Sequence, residues 1–235
     1  MNVPRTVKQR SKQHVLNAAA KSFLKNGFTN TTVKDITTGA GINSGSFNNY
    51  FRTKEDVLYE LIGLVLGQQF SVSNKLIEGK TEDKLLFYAV ETVLQLHIVE
   101  MSEALRDVYS AAYSLPKTSD LIQQTITSKW EYIFKEHLPE LETKDFYKLE
   151  IATGGIMRGF MTVPCNMWFT MDQKVESFLE CSFRMYKVSD EKIQEAIEFV
   201  KQFDFHSIAK QTIEALFVFL EQHPDKVINS ETEDK

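Results

Sequence analysis

A run of small hydrogen-bonding side chains lies between residues 43 and 49 of this chain. It comprises Asn43, Ser44, Ser46, Asn48 and Asn49, with Gly45 between the two serines. Asparagine can bond an adenine edge through two hydrogen bonds, and serine can bond the edges of several bases. A helix that carries this run therefore has the side chains needed to read bases in the major groove of DNA.

Lys54 is a candidate contact for a phosphate. It lies in the segment Thr53-Lys54-Glu55-Asp56, which is typical of a helix start. A cation is unfavourable there, because the N-terminal end of a helix dipole is positive. A phosphate held between Lys54 and the first amides of the helix would explain the lysine. The alternative is a solvent-exposed lysine at negligible cost.

Charge is distributed unevenly along the chain. Residues 1–56 contain nine basic and three acidic side chains, a net charge of +6. The whole chain of 235 residues has 27 basic and 32 acidic side chains, so the remainder carries −11. A basic segment on an acidic body is typical of a polyanion-binding module joined to a second domain. The alternative is a basic surface without a partner.

Three short helices are predicted to position these side chains. The first ends at Asn26, with Gly27 as a left-handed cap. The second begins at Thr31-Thr32 and ends before Gly41, and the third has Asn43 as its N-cap. Two short helices joined by a turn around a glycine form a helix-turn-helix motif. The second helix of such a motif can enter the major groove with its N-terminus first.

Two residues within the third helix have different predicted roles. Phe47 is expected to face inward, against Val33, Ile36 and Phe51. Gly45 costs about 1 kcal/mol relative to alanine inside a helix, which suggests that a backbone or phosphate approaches closely there. The alternative is that Gly45 marks a weak point in a frayed helix.

The segment from residue 31 to residue 58 reads TTVKDITTGAGINSGSFNNYFRTKEDVL and resembles the DNA-binding domain of the TetR family of transcriptional regulators. The resemblance covers about residues 6–62, and roughly ten positions share one register without a gap. Asn48 and Asn49 depart from the family, which often has tyrosine at the first and an aromatic residue or histidine at the second. The matching parts are Thr31-Thr32-Val33, Ile36, Ala40-Gly41-Ile42, Gly45, Tyr50-Phe51, Lys54-Glu55 and Leu58.

The resemblance implies an all-α protein with two domains. Residues 1–62 would form a three-helix helix-turn-helix DNA-binding domain, and residues 63–228 a larger helical domain for ligand binding and dimerisation. Residues 229–235 would form a flexible tail. The implied function is a ligand-responsive regulator, by family default a repressor, that binds an inverted-repeat operator as a homodimer and is released by a small molecule.

The resemblance also implies which residues touch DNA. Residues 43–49 would read bases, while Tyr50 and Lys54 would hold phosphates. A tyrosine contact to DNA cannot be carried over to Asn48, so the operator sequence stays open. The full predicted DNA-binding set is Thr32, Lys34, Asn43, Ser44, Gly45, Ser46, Asn48, Asn49, Tyr50 and Lys54.

Dimerisation is predicted through the last two long helices, as the family pairs them into a four-helix bundle. One apolar stripe runs from Val175 to Tyr186, and a second lies on a single long helix over residues 190–221. The alternative is that both stripes face only the core of their own subunit. The second stripe consists of Ile208, Ile213, Leu216, Phe217 and Leu220.

An effector pocket is predicted from large aromatic and sulfur-containing side chains in the middle of the chain. Ligand pockets are lined by such residues with a few polar groups, and so are ordinary cores. Arg158 could orient an anionic ligand; the alternative is that Arg158 is exposed or paired. The candidate ligand-binding residues are Tyr88, Tyr109, Tyr113, Trp130, Met157, Arg158, Met161 and Trp168.

Several other classes of protein are not favoured by the sequence. No phosphate-binding loop or hydrolase motif is present, and the five histidines are dispersed, so no enzyme activity, cofactor or metal site is expected. Cys165 and Cys181 form no metal-binding pattern, and a redox role for them stays open. No apolar run approaches the roughly 18 residues of a membrane helix, so a cytoplasmic location is expected.

Two alternatives to a ligand-responsive repressor remain open. One is a DNA-binding architectural or cell-division protein on the same fold, without a small-molecule ligand. The other is a helical enzyme or lipid carrier whose basic N-terminus is only a surface.

Overall fold

Helices make up nearly all of the regular structure of the chain. A computed structural model describes residues 7–222, and the tail predicted at 229–235 lies outside them. No strand occurs within residues 7–222, which confirms the all-α fold class. None of the described helices is both long and apolar enough to span a membrane. The helices are α1 (Val7–Asn26), α2 (Val33–Ala40), α3 (Ser44–Asn48), α4 (Lys54–Ile77), α5 (Lys84–Glu100), α6 (Glu103–Ala112), α7 (Pro116–Phe134), α8 (Thr143–Thr162), α9 (Met171–Met185), α10 (Asp190–Val200) and α11 (Phe205–Gln222).

The first three helices form as the local sequence predicts. Gly27 follows α1 with φ +79°, and Gly41 caps α2 with φ +66°, so both adopt the left-handed conformation that glycine tolerates. Asn43 caps α3, because its side chain accepts a hydrogen bond from the backbone N–H of Ser46. Helices α1, α2 and α3 with the start of α4 form the N-terminal helix-turn-helix unit.

Helix α4 connects this unit to the rest of the molecule without a break. It begins at Lys54, directly after the Thr53 cap, and continues to Ile77. The domain boundary predicted at residue 62 therefore falls inside a continuous helix. A linker would allow the two parts to move freely, whereas a shared helix transmits displacement from one part to the other.

Helix α5 lies at the centre of the C-terminal part. Its side chains are buried on every side, by α4, α6, α7, α8, α9, α10 and α11. A helix buried in this way is expected to be apolar all round. Glu91, Thr92 and Gln95 depart from that expectation, because they are polar and fully or almost fully buried.

The two stripes predicted to meet a second copy of the chain differ in how far they are buried. On α9, the residues from Val175 to Tyr186 that form the stripe are buried within their own protomer. Helix α11 lies against α1, α4 and α5, and Leu220 is fully buried there. The α9 stripe is therefore covered within its own protomer, whereas the residues of the α11 stripe before Leu220 are only half-buried, and the dimer contact through these two helices stays a prediction.

The prediction of a single long helix over residues 190–221 is wrong. It is divided into α10 and α11 by a break between Val200 and Phe205. Asp204 accepts hydrogen bonds from the backbone N–H of Ser207 at 3.1 Å and from its hydroxyl at 2.6 Å. An acid at this position favours a new helix start over continuation of the old one.

Candidate DNA-binding surface and effector cavity

Helix α3 exposes a small polar surface and buries one large anchor. Phe47 is fully buried, and its ring centroid lies 5.9 Å from that of Phe51. Ser44, Asn48 and Asn49 are exposed on the other side of the helix. The inward orientation predicted for Phe47 is confirmed, and it fixes which side chains of α3 face outward.

The side chain of Asn43 is occupied in capping the helix. Its Oδ1 accepts a hydrogen bond of 2.8 Å from the backbone N–H of Ser46. A Cβ on Gly45 would lie 3.3 Å from the same oxygen, which is a tight contact. The cap thus gives Gly45 a local reason, where the sequence suggested the approach of a phosphate or backbone. Asn43 thus stabilises the start of α3 through its Oδ1, and its contact with a base stays a prediction.

The start of α2 offers a second exposed group of predicted DNA contacts. Thr32 forms a capping box with Asp35, whose carboxylate accepts the Thr32 backbone N–H at 2.8 Å and its hydroxyl at 2.6 Å. These hydrogen bonds lower the pKa of Asp35. Lys34 is exposed beside them, and Tyr50 is half-buried after α3. The Lys34 ammonium is therefore placed where a phosphate could reach it.

Lys54 has a structural environment that its position in sequence did not reveal. Its Nζ donates to the carbonyl oxygens of Phe28 at 2.7 Å, Thr31 at 2.9 Å and Thr29 at 3.2 Å. It also lies 4.4 Å from the centroid of the Phe28 ring. An ammonium has three donors, so these carbonyls occupy all of them. The geometry gives Lys54 the role of tying α4 to the α1–α2 turn, and its contact with a phosphate stays a prediction.

Helix α6 links the N-terminal unit to the C-terminal part. Asp107 accepts hydrogen bonds of 2.7 Å from both the backbone N–H and the hydroxyl of Thr29. A second link joins Lys117 at the start of α7 to Asp56 at the start of α4, with 2.5 Å between nitrogen and oxygen. This ion pair is the leading cause of a lowered pKa at Asp56. Both links connect a residue that precedes Ile62 to a residue that follows it.

A small cavity lies between α5, α7, α8 and α9. Its volume is about 20 Å³, and it is lined by four of the eight residues predicted to bind a ligand: Tyr88, Tyr113, Trp130 and Met157. Sequence reasoning missed its polar residues, Glu91, Gln95, Glu150 and Thr153. Glu91 and Gln95 are one helical turn apart in a mostly apolar helix, and this spacing was the available signal.

Three polar residues of this cavity, Glu91, Gln95 and Tyr113, are connected by hydrogen bonds. The Gln95 amide donates to Glu91 Oε1 at 2.7 Å, and the Tyr113 hydroxyl donates to Gln95 Oε1 at 3.1 Å. Burial raises the pKa of Glu91 to about 7 and raises that of Glu150 well above its usual range. Both carboxyl groups are therefore held in surroundings that disfavour their charged form.

A second, apolar cavity of about 70 Å³ lies between α1, α4, α5, α6 and α11. Tyr109 lines it, and its hydroxyl accepts a hydrogen bond of 2.5 Å from the Gln69 amide. Tyr109 thus lies at this cavity and not at the smaller one. Because α1 and α4 belong to the helix-turn-helix unit, this cavity lies at the junction of the two parts of the molecule.

Three of the predicted ligand-binding residues line neither of these cavities. Arg158 is exposed on α8, and Trp168 is 82% exposed in the segment before α9. Met161 is fully buried in the core. Arg158 and Trp168 point to solvent because α8 and the following segment form an outer surface of the protomer. A ligand in either cavity would not reach them in this conformation.

The N-terminal unit is similar to known transcriptional regulators. Residues 15–61 match the model of the family described as bacterial regulatory proteins, tetR family. The repressor DhaR of Mycobacterium sp. (strain GP1) is 35% identical over 72 residues, which are 31% of this chain and 34% of DhaR. The repressor KstR2 of Mycobacterium tuberculosis is 46% identical over 48 residues, which are 20% of this chain and 24% of KstR2. The matched segments span only about a third of the length of DhaR and about a quarter of the length of KstR2.

Solved structures resemble a larger part of the chain. The crystal structure of RolR in complex with resorcinol matches 82% of this chain and 94% of RolR, with 16% identity and a TM-score of 0.59. A TetR-family transcriptional regulator from Syntrophomonas wolfei matches 76% of this chain and 95% of its own, with 19% identity and a TM-score of 0.54. At these identities the likeness shows a shared fold, with a helical C-terminal domain after the helix-turn-helix unit.

Proposed function

We propose that this chain, whose helix-turn-helix unit is of the TetR family, is a ligand-responsive transcriptional repressor. It binds an inverted-repeat operator as a homodimer, and a small molecule in the C-terminal part releases it. The observation that carries the proposal is α3, a short helix with a buried Phe47 and an exposed polar side. Such a helix can enter the major groove without bringing large side chains between itself and the bases.

The predicted DNA contacts divide into two roles. Ser44, Ser46, Asn48 and Asn49 face outward or are half-exposed on and after α3, and we assign them to base edges. Thr32 and Lys34 at the start of α2 and Tyr50 after α3 are assigned to the phosphate backbone. Contacts to phosphates position the protein, and contacts to bases give it specificity.

Release by an effector requires a connection between the effector cavity and the reading helix. Helix α6 supports such a connection, because Asp107 holds Thr29 while Tyr109 and Tyr113 line the two cavities. A ligand that moves α6 would alter the orientation of the helix-turn-helix unit. It can shift the protein away from its DNA-binding state only to the extent that it binds the other state more tightly.

The outer face of α8 is the proposed dimer contact. Ile151 is 48% exposed there, and Gly155 and Gly159 follow it at one-turn intervals with open space beside them. Small residues allow helices of two protomers to approach closely. A twofold pair through this face and the adjoining α9 would present two α3 helices, one DNA turn or about 34 Å apart.

The proposed function is tested by selecting genomic fragments with the purified full-length protein at physiological salt. A small number of sites that share one inverted repeat is the expected result. A variant in which Asn48 and Asn49 are both alanine is the matched control, and it should lose that enrichment while keeping non-specific affinity. Recovery of many unrelated fragments would favour an architectural protein, and recovery of none would exclude DNA binding as the role of the chain.

A further inference from the structure

The small central cavity holds two buried carboxyl groups from different helices. Glu91 on α5 is fully buried, and Glu150 on α8 is 3% exposed. Both line the same cavity. Burial raises the pKa of Tyr88 and Tyr113, and both acids raise these pKa values further, so the two acids share one electrostatic environment. Two acids in a cavity of about 20 Å³ require a reason, because a buried acid is costly even when one neighbour donates to it, as Gln95 does to Glu91 and Thr153 to Glu150.

One oxygen of Glu91 has no hydrogen-bond partner among the described residues. Gln95 satisfies Oε1 of Glu91, whereas Oε2 is buried and accepts nothing. A buried acceptor without a partner costs about 1–3 kcal/mol, and more for a charged group. Native structures keep few such groups, and each calls for an explanation such as a functional role or a bound water or ion. This oxygen is therefore positioned to accept a hydrogen bond from a ligand.

The lining of the cavity favours a positive charge. None of the described residues that line it is a lysine, arginine or histidine. Lys129 on α7 acts on Glu91 as a cation, but its ammonium lies over the Phe70 ring, 4.0 Å from the centroid. Aromatic side chains form much of the wall: Tyr88, Tyr113, Trp130 and Phe178. Aromatic faces attract cations, and the attraction increases where water is excluded.

The cavity is about as large as an ammonium group. A space of about 20 Å³ can hold about one water molecule, and an ammonium group is of similar size. The apolar body of a ligand would need additional room. Met157 lines the cavity and is unbranched, so its side chain can move aside with little strain.

We propose that the effector is a small organic cation, with a primary ammonium head held by Glu91 and Glu150 and an apolar body against the aromatic wall. The identification as an effector depends on the proposed regulatory function, whereas binding at the cavity does not. An anionic ligand is disfavoured by the two acids, because their ionised forms would repel it. A neutral alcohol could donate to Glu91, but it would gain neither the ion pair nor the full attraction of the rings.

The proposal is tested with three probes of one shape: benzylamine, benzyl alcohol and benzoate. The chain has two tryptophans, so a Trp168→Phe background makes the fluorescence report on Trp130 in the cavity wall. Benzylamine should quench this signal to saturation and bind about tenfold more tightly than benzyl alcohol, because charge-assisted hydrogen bonds are the stronger ones. Benzoate should not bind.

The variant Glu91→Gln keeps the shape of the side chain and removes its charge. It should weaken benzylamine binding about tenfold and leave benzyl alcohol binding within a factor of about two. The proposal is overturned if benzyl alcohol binds the parent as tightly as benzylamine does, if the variant binds benzylamine unchanged, or if millimolar benzylamine does not bind.

Gly154→Ala tests the location without removing charge. A Cβ on Gly154 would lie 3.4 Å from Glu150 Oε1 and 3.9 Å from Tyr113 Cε1, so it narrows the cavity without a clash. Alanine is also about 1 kcal/mol better than glycine within a helix. The variant should therefore bind benzylamine about tenfold more weakly without a lower melting temperature. Gly67→Ala in α4, with open space beside it, is the control and should bind as the parent does.

Operator binding separates this inference from the proposed function. If benzylamine binds at the cavity and lowers operator affinity, both are supported. If it binds while operator affinity is unchanged, the cavity site is supported and its role as the effector site is refuted. If the protein binds an inverted repeat but binds no benzylamine, the inference fails and the regulatory function stands.

Discussion

A Cβ on Gly27 would lie 2.6 Å from Asp107 Oδ2, so the carboxylate of Asp107 occupies the space that a side chain at Gly27 would need. Gly27 ends α1 of the helix-turn-helix unit with φ +79°, and Asp107 lies on α6 of the C-terminal part. The same carboxylate holds the backbone and hydroxyl of Thr29. This contact brings the two parts of the molecule together at the residue where α1 turns toward α2.

Asp107→Ala is expected to uncouple the effector from DNA. The three N-terminal helices keep their own caps, so operator affinity without effector should change by less than about threefold. Release by the effector should be weakened about tenfold, since couplings between sites are typically 1–3 kcal/mol. Operator titrations with and without effector measure both quantities. Asp120→Ala, on the surface of α7, is the control and should behave as the parent. If the effector releases the Asp107 variant from DNA as readily as the parent, this link between the effector and DNA is excluded.

Lys54→Ala is expected to destabilise the helix-turn-helix unit. It removes three hydrogen bonds to carbonyl oxygens of the α1–α2 turn, and unfolding free energy should fall by about 1–3 kcal/mol. The dependence of DNA affinity on salt should change by less than one unit. Lys34→Ala is the comparison variant. Removal of the exposed Lys34 ammonium should reduce the salt dependence of DNA affinity by about one unit without lowering the melting temperature. A reduction of one unit in the Lys54 variant at unchanged stability would assign it to a phosphate.

Asn49→Ala is expected to relax sequence preference at one base position, by about 1–3 kcal/mol. Asn49 is exposed directly after α3, so its side chain is available to a base edge. Selection from randomised operators measures the preference at each position. Asn43→Ala is the contrasting variant. Loss of the N-cap costs about 1 kcal/mol of helix stability and should weaken binding to all operator sequences alike. An unaltered preference profile would remove Asn49 from the reading set.

Glu91 is expected to make stability depend on pH. Its pKa is raised from 4.5 to about 7 in the folded protein, so the folded state holds this proton more tightly than the unfolded state. Unfolding free energy therefore falls as pH rises from about 4.5 to 7, and the loss is complete above pH 7. The titratable groups that interact with Glu91 are Lys129 on α7, Glu150 on α8, Tyr88 on α5, and Tyr109 and Tyr113 on and after α6.

Glu91→Gln removes this contribution. Between pH 4.5 and pH 8, the unfolding free energy of the variant should rise relative to that of the parent by on the order of 3 kcal/mol, since one pKa unit corresponds to about 1.4 kcal/mol. Denaturant unfolding at several pH values measures the difference. Parallel stability curves for the two proteins would show that Glu91 titrates at its ordinary pKa.

Ile151→Glu is expected to separate the proposed dimer. It places a charge in the middle of the exposed face of α8, and a charge buried at a twofold contact meets its own copy. Analytical ultracentrifugation should show a monomer with unchanged helical content, and operator affinity should fall by more than about tenfold. Val218→Glu provides the control, because Val218 is 49% exposed on α11, away from that face. A dimer that persists in the Ile151 variant would refute this contact.

The sequence by itself determined the helix-turn-helix unit. Helix ends there are set by residues close in sequence: Asn43 caps the amide three positions later, and Gly27 and Gly41 supply the left-handed conformation. The inward side of α3 was also readable, because Phe47 is its one large apolar residue. These features depend on interactions within a few residues, so no knowledge of distant segments was needed.

Only the tertiary structure decided the partners of Lys54, the inward orientation of the α9 stripe and the meeting of Glu91 with Glu150. Lys54 binds carbonyl oxygens more than twenty residues away, and the two acids lie on α5 and α8. An apolar stripe looks the same whether it faces its own core or a second copy of the chain. Which surfaces meet is decided by the packing of whole helices, and the spacing of residues along one helix does not contain that information.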